Sequence, residues 1–420
     1  MSTCRSCRGS ALVPVLDLGR MPLSDGLRWK SQLGDVEPRY PLELVFCRDC
    51  ALVQITTEVP PTVLFGDEYP YFSSFSESLL RHSEANVAAL VRDRGLSASS
   101  FVLEIASNDG YLLQFFQRRG IPVLGIDPAR GPVQAALGKG IPTTHAFFGR
   151  DIAAQLVEQG RSADVIVANN VMAHVPDLEG FVDSIARVLK PNGTTSIEAP
   201  WVKDLVEHCE FDTIYHEHLC YFSVTAVDRL FRRHGLFLNK VVHLPIHGGS
   251  IRYHAGRTAE PDGSVAAMMA MEKQLGVDRP EFYADFAVRV RALRESLRKL
   301  LLGLREQGHS IAAYGAAAKG AILLNYVGLG PDVIDFCVDR NIHKQGRYLP
   351  GVDIEILAPE ELLRRRPDYT LLLPWNLERE IVGQQAEYLA AGGRFVIPVP
   401  TPRIVSAESI TGKSPVDGKH

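Results

Sequence analysis

The chain has 420 residues, 46% hydrophobic and 22% charged, with 45 basic against 49 acidic side chains and a formal net charge of −4. That length suits about two to four domains with ample cores, and the balance is that of an ordinary globular protein. The charge argues against a general nucleic-acid or anionic-membrane partner, which needs a cationic field. No run of about 18 apolar residues marks a membrane span. The opening MSTCRSCRGS lacks the apolar core of a signal peptide, so a cytoplasmic protein is expected.

Residues 1–67 hold short apolar runs, LVPVLDLG and PLELVFC, that read as strands. Four of the seven cysteines form two C-x2-C pairs, Cys4/Cys7 and Cys47/Cys50. Each pair can place two thiolates on one metal ion, and together they complete a tetrahedral Cys4 shell. A full shell leaves no position for water, so the expected zinc is structural. It supplies folding energy to a unit too small for a large core. Cys209, Cys220 and Cys337 are scattered, which is not a disulfide framework.

Residues 68–258 alternate helix and strand. A helix is expected over Ser76–Arg92, then the strand FVLEIAS, a helix from Gly110 to Arg119 and the strand PVLGID. A helix near Gly131–Leu137, a short strand near Pro142–Ala146, the strand ADVIVAN, the helix LEGFVDSIARVLK and the strand TTSIEAP follow. LFLNKVVHLP and SIRYHAG close the set as an antiparallel pair. Such alternation predicts an α/β fold with a parallel sheet covered on both faces. Residues 259–405 begin with a long helix ending near Gly308, expected to connect two domains, and continue as a second, Rossmann-like α/β unit. The tail 406–420 is polar and expected to be loose.

The most informative turn is Glu104-Ile-Ala106-Ser-Asn108-Asp109-Gly110. An apolar strand runs into small residues and then a helix, at the sheet edge where α/β folds bind ligand. Asp127 ends the next strand, where a carboxylate can take two ribose hydroxyls, and Asn169 and Asn170 end a later one. A nicotinamide dinucleotide wants G-x-G-x-x-G, and this turn has one glycine. S-adenosylmethionine, held in class I methyltransferases by an acidic, small-residue turn, fits better. Ala106 stands where glycine is common, which is tolerable at negative φ.

Tyr215, His216, Glu217, His218 and Tyr221 crowd one short stretch, EFDTIYHEHLCY. It lacks the H-E-x-x-H of a zinc protease, so acid/base chemistry is the expected use. Methylation at a carbon beside a ketone needs a placed base and donors to the enolate oxygen, and histidine suits that task. In the C-terminal unit, Tyr314-Gly315-Ala-Ala-Ala-Lys319-Gly320 joins a strand to a helix. A helix start with Lys319 beside it can hold an anion, and Asp339 ends the next strand. Arg340, His343 and Lys344 are either phosphate contacts or a solvated loop.

Together these motifs resemble the S-adenosylmethionine-dependent sugar C-methyltransferases, which act on carbon 3 of dTDP-4-keto-deoxysugars in antibiotic biosynthesis. The resemblance covers nearly the whole chain and is most specific in EFDTIYHEHLCYFS. It implies His218 as the base that removes the C3 proton, with Glu217, Tyr215 and His174 near the sugar. Tyr69 or Tyr71 in YPYFSSFS, with Ser73, Ser74 and Tyr221, would contact substrate. The C-terminal unit, through Gly315, Lys319 and Asp339, would hold the nucleotide. A monomer is expected. The alternatives are an O- or N-methyltransferase on a related sugar nucleotide and, in another class, a nucleic-acid binding protein that uses its zinc ribbon, such as an RNA methylase.

Overall fold

The computed structural model describes residues 3–64, 72–246 and 248–411. Its contacts define two compact units. The first comprises Met1–Leu16, Glu43–Leu205 and His216–Ala284, and the second Asp17–Leu42, Val206–Tyr215 and Asp285–His420. The units therefore cut across the expected boundaries at 67 and 258. Among the described residues, no helix is long and apolar enough to cross a membrane.

The N-terminal strands β1 (Leu12–Pro22), β2 (Arg39–Cys47) and β3 (Val53–Ile55) form a small sheet completed by β9 (Cys220–Tyr221), in the order β1-β2-β3-β9. The pairing is antiparallel, with Val53 opposite Tyr221 and Gln54 opposite Cys220. A strand from the His–Glu segment is thus stitched onto the cysteine-bearing sheet.

The central sheet contains β4 (Val102–Ile105), β5 (Val123–Asp127), β6 (Thr143–His145), β7 (Ala163–Asn169), β8 (Leu189–Pro200), β10 (Phe237–Leu244) and β11 (Ser250–Gly256), in the order β10-β11-β8-β7-β4-β5-β6. Strands β4 to β8 are parallel, whereas β10 and β11 are antiparallel additions. All four residues of β4 are buried, as a strand covered on both faces requires. The chain order reverses between β5 and β7 on either side of β4, which opens a crevice at the strands' carboxyl ends.

The helix Glu77–Arg94 starts where Ser76 accepts from the Leu79 amide and stops at Gly95, φ 59°. Helices Arg150–Glu158 and Val224–Arg233 escape the sequence reading. The second is capped by Ser223, whose hydroxyl accepts from the Ala226 amide at 3.0 Å.

In the second unit, β12 (Ile311–Tyr314), β13 (Cys337–Val338), β14 (Ile356–Leu357), β15 (Tyr369–Leu372), β16 (Arg394–Ile397) and β17 (Arg403–Val405) are ordered β14-β13-β12-β15-β16-β17. All pairs are parallel except β16 with β17. The long helix spans Phe286–Glu306 and opens the last segment of this unit, directly after the first unit ends at Ala284. The tail expected to be loose includes the helix Ala407–Thr411.

Candidate active site

The cysteine pairs fold as two matching knuckles. Arg8 and Ala51, each directly after a second cysteine, take φ of 62° and 64°. Their amides donate back to the carbonyls of Cys4 and Cys47, both at 2.9 Å. Cys4 Sγ lies 3.4 Å from Cys50 Sγ, Cys7 Sγ lies 3.6 Å from Cys47 Sγ, and all four sulfurs fall within 4.8 Å of one another. Four thiolates at about 2.3 Å from zinc have sulfur–sulfur edges of about 3.8 Å, so the set fits a tetrahedral ion. Four thiolates would complete the shell of a zinc held there, so its part would be structural.

In the turn after β4, Ala106, Asn108 and Gly110 all have positive φ, of 55°, 51° and 76°. Ala106 therefore does not meet the condition of negative φ under which alanine would be readily tolerated there. A left-handed alanine costs about 1–2 kcal/mol, a strain that collects at functional turns. A Cβ on Gly125 would fall 2.2 Å from Ser107 Oγ, so that glycine admits the turn against β5. Asp127 fastens it: Oδ2 accepts from the Asn108 amide and Oδ1 from the Ala129 amide, both at 2.8 Å. Lys139 donates to Asp109 Oδ2 at 3.0 Å.

Several polar atoms here remain unmet. Both Glu104 oxygens, Ser107 Oγ, Asp109 Oδ1 and Asn169 Oδ1 are buried without a hydrogen-bond partner among the described residues. Burial, and then the charges of Asp127 and Asp109, push the Glu104 carboxyl well above its ordinary range. Buried polar atoms without partners await a ligand or water. A donor carrying ribose hydroxyls and an amino group answers this set, so the residues fit S-adenosylmethionine.

The His–Glu segment is a turn, not a helix. His216 and Glu217 are buried, and Tyr215 and His218 are partly exposed. The chain passes from the second unit to the first between Tyr215 and His216. Two backbone bonds hold the segment: the Leu219 amide donates to the Ala173 carbonyl at 2.7 Å, and the Leu219 carbonyl accepts from Ile55 at 3.0 Å. This brings the His174 and His218 rings edge to face at 4.7 Å, with Tyr221 at 6.3 Å from His218. Burial drives His174 down to about 4, against the pull of hydrogen bonds to the backbone of Glu217 and Asn170. His174 is therefore a neutral imidazole at pH 7, touching both the His–Glu segment and the end of β7.

Ser73 and Ser74 lie against the cofactor turn. The Ser73 amide donates to Asn108 Oδ1 at 2.8 Å, and Ser74 Oγ accepts from Lys139 Nζ at 3.1 Å. Tyr69, Tyr71 and His247 are outside the described residues.

In the second unit, Gly315 has φ 87° and its added Cβ would meet Pro374 at 2.5 Å, while one on Gly320 would meet Leu373 at 2.8 Å. Both glycines let the turn and helix close on the strand end. Lys319 Nζ donates to Asn376 Oδ1 at 2.8 Å and sits 4.5 Å from the Trp375 ring centroid. Trp375 Nε1 in turn donates to Asp212 Oδ2 at 2.7 Å. Burial raises Asp212 to about 7, although Lys319 and the Trp375 hydrogen bond pull it down. Asp339 accepts from the Ala316 and Asn341 amides, both at 2.7 Å.

The sequence reading missed a trio built on a buried acid, Glu198, with the part-buried His82 and Arg252. Glu198 ends the apolar strand TTSIEAP, and a lone acid there was the available signal.

The zinc knuckles, the reversed sheet order and the unmet polar turn define a class I S-adenosylmethionine-dependent methyltransferase. Family models match along the chain: a zinc binding domain over residues 4–65, a methyltransferase domain over 79–241 and a C-methyltransferase C-terminal domain over 245–400. The C-methyltransferase NovU of Streptomyces niveus is 36% identical over 409 residues, 97% of each chain. The chain belongs to this C-methyltransferase family, and it transfers methyl from S-adenosylmethionine to carbon. The ubiquinone biosynthesis O-methyltransferase of Rhodopseudomonas palustris strain TIE-1 is 28% identical over 121 residues, 29% of this chain and 46% of that protein. The magnesium protoporphyrin IX methyltransferase structure from Synechocystis PCC 6803 with bound S-adenosylmethionine overlaps 43% of this chain and 79% of its own. Its TM-score of 0.33 and identity of 16% are too low to bear on function.

Proposed function

We propose that the acceptor is carbon 3 of a dTDP-4-keto-deoxysugar and that His218 is the base. The observation that carries this is the His174–His218 pair, with ring centroids 4.7 Å apart, one ring held neutral and the other partly open. A C–H beside a ketone loses its proton only to a placed base while the growing oxyanion is met by donors. His218 takes the C3 proton, and the bond pair moves onto the carbonyl oxygen. Tyrosine hydroxyls of the segment donate to that oxygen, while His174, neutral at pH 7 and hydrogen-bonded to the backbone of Glu217 and Asn170, packs edge to face on His218 and holds that ring in place. Glu217 and Tyr215 orient the sugar. S-adenosylmethionine supplies an electrophilic methyl on a sulfonium, which the nucleophilic carbon takes in line. His218 then returns its proton to solvent.

Lys319 and the turn at Gly315 support assigning the nucleotide to the C-terminal unit. Lys319 also feels the charge of Asp212, and its ammonium offers phosphate a point charge. The test is product identity: incubation with a panel of dTDP-4-keto-6-deoxyhexoses and assignment of the product by NMR. A methyl on ring carbon 3 bears the proposal out, and a methyl on oxygen or nitrogen, or on a non-sugar acceptor, overturns it.

A further inference from the structure

We propose that His82, Glu198 and Arg252 are positioning residues that latch the helix Glu77–Arg94 to the ligand edge of the central sheet and thereby set the affinity for the methyl donor. The proposal rests on the assignment of the turn at residues 104–110 to S-adenosylmethionine.

Glu198 sits opposite Asn169 in the β7–β8 register, and its carbonyl accepts from the Asn170 amide at 2.8 Å. Its carboxylate is 2% exposed. His82 Nε2 lies 3.0 and 2.9 Å from the two oxygens, and Arg252 Nε donates to Oε1 at 2.7 Å. A buried carboxylate is costly unless paired. Burial alone would raise Glu198, but the His82 hydrogen bond and the Arg252 charge outweigh it and hold the carboxyl below its ordinary range. The group is therefore charged, near the carboxyl end of β8 and opposite Asn169 at the end of β7.

The partners reveal what the charge holds. His82 and Asn86 are one turn apart on the same helix face. Asn86 Nδ2 donates to Ser196 Oγ at 3.4 Å, and Ser196 and Glu198 share one face of β8. Two rungs thus tie the helix to the strand. The same segment begins at the donor turn, where the Ser73 amide meets Asn108 and Ser74 meets Lys139, itself bound to Asp109. Residues 73–86 are pinned to the turn at one end and to Glu198 at the other. Removing the latch frees this cover while leaving the turn itself intact.

The test is S-adenosylhomocysteine affinity by calorimetry on the full chain. His82→Ala should weaken it about tenfold, the loss of one charge-assisted hydrogen bond. His82→Gln, whose amide can still donate to Glu198, should recover most of it. Amide exchange over residues 73–86 should rise in His82→Ala. Glu104→Gln serves as the marker of the turn and should weaken binding on its own. If Glu104→Gln weakens binding and His82→Ala does not, the latch is wrong, even if the variant melts earlier. If neither changes affinity, the cofactor assignment fails and takes the latch with it. Should His82→Ala not fold, Asn86→Ala reads the second rung, and unchanged affinity there overturns the proposal.

Discussion

Asp127 and Asp339 close the same pair of hydrogen bonds in two different sheets. Asp127 ends β5 and Asp339 directly follows β13, each next to its sheet's first turn, and each carboxylate takes one amide from that turn and one from the residue two places on. Both carboxylates act first as fasteners of backbone. Asp127→Asn turns an NH2 toward one of the two amides, so S-adenosylhomocysteine affinity should fall about tenfold. Asp339→Asn should leave that affinity unchanged, as calorimetry on the two variants would show.

His218→Asn should fold, bind S-adenosylhomocysteine normally and lose about 100-fold or more in turnover, the scale of a general base. Exchange of the sugar's alpha proton with deuterated water should be lost in parallel. Near-normal turnover would remove His218 from the reaction.

His174 should cost the first unit stability in acid, against the opposite contribution of the raised Glu104 carboxyl. His174 is held down to about 4, whereas an unfolded histidine titrates near about 6.5. Between those values the unfolded chain binds the extra proton, so stability falls as pH drops through that window. Glu198, held below its ordinary range, adds a loss at still lower pH as its folded carboxyl protonates. Urea midpoints across pH 7 to 4 should show this slope in the difference between the parent and His174→Gln.

Asp212 predicts the opposite slope for the second unit. Burial raises its folded carboxyl to about 7, against about 3.9 unfolded. Between those values the folded form keeps a proton that the unfolded chain has shed, so stability declines as pH rises toward 7. Asp212→Asn keeps an acceptor for Trp375 and removes the titration. The variant should gain on the parent between pH 4 and 8, as read by melting temperature.

Cys50→Ser should drop bound zinc from one equivalent to none and loosen the small sheet. Because β3 pairs with β9, turnover should fall as well. Metal analysis and activity on the same sample test both halves.

What was legible in the sequence was local. The strand–helix alternation, the C-x2-C spacing and the E-I-A-S-N-D-G turn are each written in adjacent residues, and strand β7 coincides with ADVIVAN. What was hidden depends on distance along the chain. His82, Glu198 and Arg252 are far apart in sequence and meet only once β8 and β11 pair. The left-handed backbone at Ala106 has no marker in its residue type. Helix Val224–Arg233 lay behind the chemically loud His–Glu segment, although Ser223 signals its start.

The division of the chain into units also has a consequence for how it is made. Residues 17–42 belong with 285–420. They leave the ribosome well before the segment they pack with, although domains generally form as synthesis proceeds. The gene therefore holds neither unit as one continuous stretch. A hybrid enzyme made by joining two parents at a single point would divide one unit between them, so exchanging the C-terminal unit means carrying 17–42 and 206–215 with it.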